Sequence, residues 1–194
     1  MENITLRSAA ADDAARLRGI YAPYVDGSAV TFEYQPPTEA EFAARITDTL
    51  KRYPYIVAEI DGRAVGFAYA RAFRPRAAYD HAAETTIYIV PEAHGIGVGR
   101  ALYERLIDIL RAQNVTDVYA CIATTDRAYD PNLTDASPKF HARLGFSEVG
   151  KFPACGFKFG RWYDMIWMGR QIAPRSDAPP EFIPYPKLAD AQRV

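Results

Sequence analysis

The stretch Val90-Pro91-Glu92-Ala93-His94-Gly95-Ile96-Gly97-Val98-Gly99-Arg100 holds the strongest chemical signal in this chain. It follows a β-branched run, Ala83 to Val90. It then opens a helical one-face pattern made by Val98, Ala101, Leu102, Leu106, Ile109 and Leu110. Glycines let the backbone approach a ligand, and a helix's first turn offers N–H groups without partners at its positive end. Together these form an anion cradle suited to a pyrophosphate. A tight turn that binds nothing would also use glycine, but three in five residues is more than such a turn needs. The order is not a P-loop, since no Lys-Ser or Lys-Thr follows, and the third glycine is one residue early for a dinucleotide fingerprint. A second cluster is Arg74 and Arg76 on either side of Pro75. Guanidinium forks grip carboxylate, phosphinate or sulfonyl-type oxygens bidentately. The alternative for both is a solvated surface.

Composition narrows the chemistry. With 23 basic and 24 acidic residues the net charge is −1. No nucleic-acid or membrane-surface partner is expected from that balance. The two cysteines, Cys121 and Cys155, have no CxxC spacing, and three histidines without an HExxH give a metal no support. No apolar run reaches 18 residues, and the first residues lack a basic start and an apolar stretch, so a soluble cytoplasmic protein is expected. The 194 residues suit one domain. We place it at 1–172, followed by a proline-rich, extended tail at 173–194 with too little packing pattern to be a domain.

The elements that must position these residues follow from periodicity. Residues 3–7 read as a strand. Asp12 is expected to cap a helix carrying Ala14, Leu17, Ile20 and Tyr21, with a loop over 22–37. Thr38 and Glu41 form a capping box for a helix to Leu50. Asp61-Gly62 joins strands 55–60 and 63–71 as a hairpin. Residues 72–81 are a basic, aromatic loop. A strand at 116–123, a polar loop at 124–133, a short helix stopped by Gly145, and strands near 146–152 and 157–169 complete the chain. This order predicts an α/β fold of the α+β type, with a mixed, mostly antiparallel sheet flanked by helices.

The segment His94 to Gly99 resembles the acetyl-CoA pyrophosphate turn of the GCN5-related N-acetyltransferase (GNAT) superfamily, with His94 where Arg or Gln is usual. The resemblance covers about residues 3–169 and includes Leu144-Gly145-Phe146 at the sixth strand. Thr31-Phe32-Glu33, Phe73 to Tyr79 and Glu84 to Ile89 look like the branch acting on phosphinothricin and methionine sulfoximine.

That resemblance implies acetyl-CoA as cosubstrate, with no metal, and an amine acceptor attacked directly in a ternary complex. Glu84 would take the amine's proton, directly or through one water. Ile87, Tyr88, Ile89 and Val90 would pair with the pantetheine arm, and a bulge there would free an N–H for the thioester oxygen. His94, Gly95, Ile96, Gly97, Val98, Gly99 and Arg100 would hold the pyrophosphate. Asn132 or Thr134 would meet the pantetheine. His141 would protonate or hydrogen-bond the sulfur, or serve only in packing. Thr31, Phe32, Arg74, Arg76 and Tyr79 would form the acceptor site. Neither cysteine is expected there, so no acyl-enzyme is expected. A homodimer is implied by resemblance alone. The rivals are another acceptor (a polyamine, an aminoglycoside or a protein N-terminus) and a non-catalytic acyl-CoA sensor.

Overall fold

The β-branched and aromatic runs assemble into one seven-stranded sheet. Its strands are β1 (Ile4–Ser8), β2 (Tyr55–Ile60), β3 (Arg63–Ala72), β4 (Ala82–Ile89), β5 (Asp117–Thr124), β6 (Ser147–Lys158) and β7 (Arg161–Gln171). The order is β1-β2-β3-β4-β5-β7-β6. Neighbours are antiparallel except β4 and β5, which run parallel. The computed structural model describes residues 3–194. Helices α1 (Ala14–Gly27) and α2 (Glu39–Leu50) cover one face, with Leu17, Ile20, Phe42 and Ile46 in the same buried cluster as Val57 and Phe67. Helix α3 (Val98–Ala112) covers the other, where Leu102, Leu106 and Leu110 join Ala68, Ala83 and Val118. A short α4 (Ala136–Arg143) follows β5. The mixed, mostly antiparallel architecture is the expected one.

Several local expectations hold. Thr38 and Glu41 form the capping box of α2. Asp61 and Gly62 both have positive φ, as a type I′ hairpin turn requires. Others need correction. Asp12 does not cap α1; Asp13 instead accepts from the Ala10 N–H at 2.8 Å and pairs with Arg7. Helix α1 does not end before residue 22 but runs through Pro23 to Gly27. The residue four before Pro23 is Gly19, with open space where a Cβ would stand. Strand β6 continues to Lys158, past register shifts between Phe152 and Gly156. The bulge expected at Ile87 to Val90 is absent on the β3 side, where the register with β4 is unbroken from Gly66↔Ile89 to Ala72↔Ala83.

The 173–194 segment is extended but docked. Tyr185 and Leu188 are buried in the α3-side core. The buried Gln113 side chain donates to both Arg52 O and Ile183 O at 2.8 Å, and the Tyr185 N–H donates to Arg52 O. Tyr185 and Leu188, with the partly buried Phe182, Ile183 and Val194 packed against the same core, follow neither a helical nor a strand period among five prolines, which is why sequence pattern missed the docking.

Candidate active site

Strands β4 and β5 pair for only three residues, Ala82↔Asp117, Ala83↔Val118 and Glu84↔Tyr119. Beyond Glu84 they part. The peptide groups exposed by the gap follow from the β3 ladder. The Val90 N–H donates to Val65 O, which makes 90–65 a hydrogen-bonded pair. Alternation then turns the peptide groups of Tyr88, Thr86 and Glu84 toward β3, and those of Thr85, Ile87 and Ile89 toward the gap. The gap is therefore a sheet edge inside the protein, able to pair with an extended ligand. Splaying, not a bulge, frees these amides. At its far end Tyr24 Oη donates to Ile89 O at 2.5 Å, with His94 Nε2 3.1 Å from the same oxygen.

The gap leads to the glycine turn. Gly95 and Gly97 have φ of +79° and +102°, and Gly97 is the N-cap of α3, so no side chain competes for the first N–H groups of the helix. Gly99 has a different reason. A Cβ there would lie 2.8 Å from the Phe140 ring, so this glycine lets α3 pack against α4. His94, Gly95 and Gly99 line a cavity of about 390 Å³ with Thr85 to Ile89, Thr134, Ser137 and His141. Ile96 and Arg100 are exposed, and Val98 points into the core. Between the two pantetheine candidates, Thr134 lines the cavity. The Asn132 side chain instead donates to Gly27 O at 3.3 Å.

On the sheet's opposite face lies a cavity of about 720 Å³ between α1, α2 and the strands. Both volumes fall in the range of small-ligand sites. Glu84 is buried here, and its Oε1 accepts from Arg71 Nη2 at 2.5 Å. Thr31 and Phe32 line it, with a second ion pair, Glu33–Arg45, at 2.8 Å. Tyr21, Phe42, Tyr55, Phe67, Tyr69 and Tyr88 supply an aromatic wall. Burial pushes the Tyr69 and Tyr88 hydroxyls above the ordinary tyrosine value, so they are neutral hydrogen-bonding groups. The two cavities share Val30, Thr86, Tyr88, Cys121 and Ala123.

Arg71, Arg45 and Glu33 were not anticipated as site residues. Arg71 is opposite Glu84 in the ladder, so only knowledge of that register would have found it. Cys121 corrects the expectation that no cysteine reaches the site. Burial, then the nearby Glu84, pushes its thiol up to about 11, so it is a poor nucleophile at neutral pH and an acyl-enzyme gains no support. Arg74, Arg76 and Tyr79 line neither cavity. Phe73 stacks on Tyr119 at 4.6 Å and meets Trp167 edge-on, which carries the loop over the β5–β7 face. The Arg74 guanidinium lies over the Phe73 and Trp167 rings.

His141 is buried, with both ring nitrogens engaged. Nδ1 lies 2.9 Å from Ser137 O, which can only accept, so Nδ1 carries the proton. Nε2, in the neutral ring, accepts from Tyr103 Oη at 2.7 Å, and Tyr103 is 3.1 Å from Thr85 Oγ1. Burial holds the His141 pKa below the ordinary histidine value. Among the described residues no group of three or more His, Cys, Asp or Glu side chains could hold a metal, and no helix is long and apolar enough to cross a membrane.

Known proteins resemble this chain in sequence and fold. Residues 6–167 match the model of the acetyltransferase (GNAT) domain. A phosphinothricin N-acetyltransferase of Alcaligenes faecalis is 36% identical over 91% of this chain and 87% of its own. An L-methionine sulfoximine/L-methionine sulfone acetyltransferase of Pseudomonas aeruginosa is 34% identical over 85% of this chain and 94% of its own. The crystal structure of a phosphinothricin acetyltransferase from Sinorhizobium meliloti in complex with AcCoA superposes with a TM-score of 0.83 at 36% identity, covering 95% of this chain and 96% of that one.

The His141 environment sets a pH dependence. Because the folded pKa is depressed, its contribution to stability is present above the ordinary value near 6.5 and is lost as pH falls through it. Urea unfolding between about pH 7.5 and pH 5 is expected to show a steeper loss of stability in the wild type than in His141→Phe. Equal slopes would contradict the buried neutral ring.

Proposed function

The chain belongs to the acetyltransferase (GNAT) family, and from that premise we propose that it moves the acetyl group of acetyl-CoA to the amine of a small amino-acid-like acceptor. Phosphinothricin and methionine sulfoximine, for which its relatives are named, are the models for that acceptor. One observation supports this above the rest: two cavities on opposite faces of the sheet meet where β4 and β5 part. Acetyl-CoA fits the first. The α3 N-terminus faces outward for a diphosphate, and the Ile87 and Ile89 peptide groups face the gap for the amides of the pantetheine arm. The second cavity carries three carboxylates, Glu33, Asp48 and Glu84, and two guanidiniums, Arg45 and Arg71, so it offers partners for both ends of a zwitterion. In this reading Arg45 and Arg71 take the acceptor-anion role expected of Arg74 and Arg76.

Acetyl-CoA supplies an activated acetyl carbonyl. The acceptor's ammonium must first lose a proton, and Glu84 takes it, directly or through one water. Glu84 is suited to this because one oxygen is fixed by Arg71 while the residue lines the acceptor cavity. A strand N–H in the gap polarises the carbonyl oxygen. Forming the amide bond frees a second proton from the nitrogen, which balances the thiolate that departs as free thiol. We assign His141 to ordering the wall of the gap through Tyr103 and Thr85, because its single ring proton is held by Ser137 O.

We further infer a homodimer built on the β6 edge. That edge strand exposes Val149, Phe152 and Phe157, beside Trp162 on β7, and unpaired apolar edges are normally covered. A cytoplasmic site suits two free thiols and a diffusible acyl-CoA.

Glu84→Gln is expected to lower turnover on the order of 10²-fold near neutral pH while acetyl-CoA affinity stays within about twofold, read by free-thiol release and calorimetry. Unchanged turnover would remove Glu84 from its role. Thiol release with phosphinothricin or methionine sulfoximine, but not with polyamines or aminoglycosides, would support the acceptor class, and acetyl-CoA binding with no release on any amine would favour a sensor. Sedimentation equilibrium should return twice the chain mass, and a stable monomer would reject the β6 interface.

A further inference from the structure

Lys158, the last residue of β6, is only 3% exposed and has no carboxylate partner among the described residues. Its ammonium donates instead to three backbone carbonyls, Val25 O at 2.7 Å and Ser28 O and Thr31 O at 2.8 Å each. An ammonium has three N–H groups and no acceptor, so this set satisfies it completely. The three carbonyls are otherwise hard to serve. Val25 lies in the last turn of α1, where helical carbonyls lack partners, and Ser28 and Thr31 belong to the loop that follows. The cation also sits at the negative end of the α1 dipole.

Two neighbours on the same strand end reinforce the tie. A Cβ on Gly156 would lie 2.2 Å from the Phe32 ring, so the ring rests directly on the β6 backbone. Tyr34 Oη donates to Phe157 O at 2.5 Å. The tethered loop is the one whose Val30, Thr31, Phe32 and Glu33 line the acceptor-side cavity. Lys158 itself lines neither cavity.

We propose that Lys158 is a positioning residue for the acceptor site: its ammonium gathers the end of α1 and the 28–31 loop onto β6, and so sets how firmly the pocket holds the amine without touching it. This rests on the reading of that cavity as the acceptor pocket. A hydrophobic side chain of similar length would fill the space but leave three carbonyls without donors, and the loop would move to find water. Of the tethered segment, Val30, Thr31, Phe32 and Glu33 line the acceptor-side cavity, whereas only Tyr24 and Val30 line the other, so acceptor binding is expected to suffer more than cosubstrate binding.

The test compares Lys158→Met and Lys158→Arg with the wild type in two measurements. Hydrogen exchange by mass spectrometry is expected to show residues 25–33 exchanging faster in Lys158→Met. Steady-state kinetics with methionine sulfoximine are expected to show acceptor KM raised roughly tenfold, equivalent to about 1.4 kcal/mol, with kcat and acetyl-CoA affinity within about twofold. Lys158→Arg, which keeps the charge and some donors, should fall between. Faster exchange with unchanged acceptor KM would overturn the proposal, as would unchanged exchange or a fall in kcat alone. If Lys158→Met does not fold, Lys158→Arg decides by the same two criteria. Failure of the acceptor reading shows separately, as absence of thiol release by the wild type itself.

Discussion

Two parallel strands that pair for three residues and then separate impose the central constraint on this molecule. Every peptide group turned into the gap needs a partner, because unpaired N–H and C=O groups inside a protein cost as much as a lost hydrogen bond. Part of that need is met internally: Thr85 Oγ1 reaches Tyr119 O, and Tyr24 caps the Ile89 carbonyl. The Ile87 and Ile89 N–H groups remain for a ligand that is itself extended and amide-bearing. The rest of the fold follows from keeping the gap open. Helix α3 starts at its mouth, α4 props its second wall through Phe140 and His141, and the hairpin β6–β7 backs β5 so that it stays flat against the split.

The same separation places the chemistry. A residue's face of β4 decides which cavity it serves. Glu84, Thr86 and Tyr88 face α1 and α2, while Thr85, Ile87 and Ile89 face α3. Under the proposed function, the proton acceptor and the backbone donors thus come from one strand yet would meet two molecules that approach from opposite sides. Charge follows the same division. The ion pairs Arg71–Glu84 and Glu33–Arg45 gather in the cavity of about 720 Å³, and among the described residues no Asp, Glu, Lys or Arg lines the other.

How much of this could be read in the chain depended on whether the signal was local. The glycine turn, the α2 capping box and the Asp61-Gly62 hairpin each depend on residues within a few positions, and each appears where its residues say. Glu84 needed the family resemblance, since a strand-end glutamate is usually only solvated. Arg71 and Arg45 were invisible because their meaning comes from partners in other elements. Gly99 has a packing role as well as its place in the glycine turn, and that role was hidden because Phe140 arrives 41 positions later. Arg74 and Arg76 look like a substrate clamp from their spacing, and the Phe73 ring, stacked on Tyr119 of a strand distant in sequence, sets where their loop lies. Helix α1 was cut short by trusting Pro23 as a stop, when a proline near the helix end forfeits one backbone hydrogen bond without ending the last turn.

The gap itself is best tested through its amides. Residue-resolved hydrogen exchange by NMR should find the Ile87 and Ile89 N–H groups exchanging rapidly in the free protein and strongly protected once acetyl-CoA is added. Thr86 and Tyr88, already bonded to β3, should be slow in both states. Ile87 and Ile89 amides that are protected without ligand, or that do not respond to acetyl-CoA, would contradict the account.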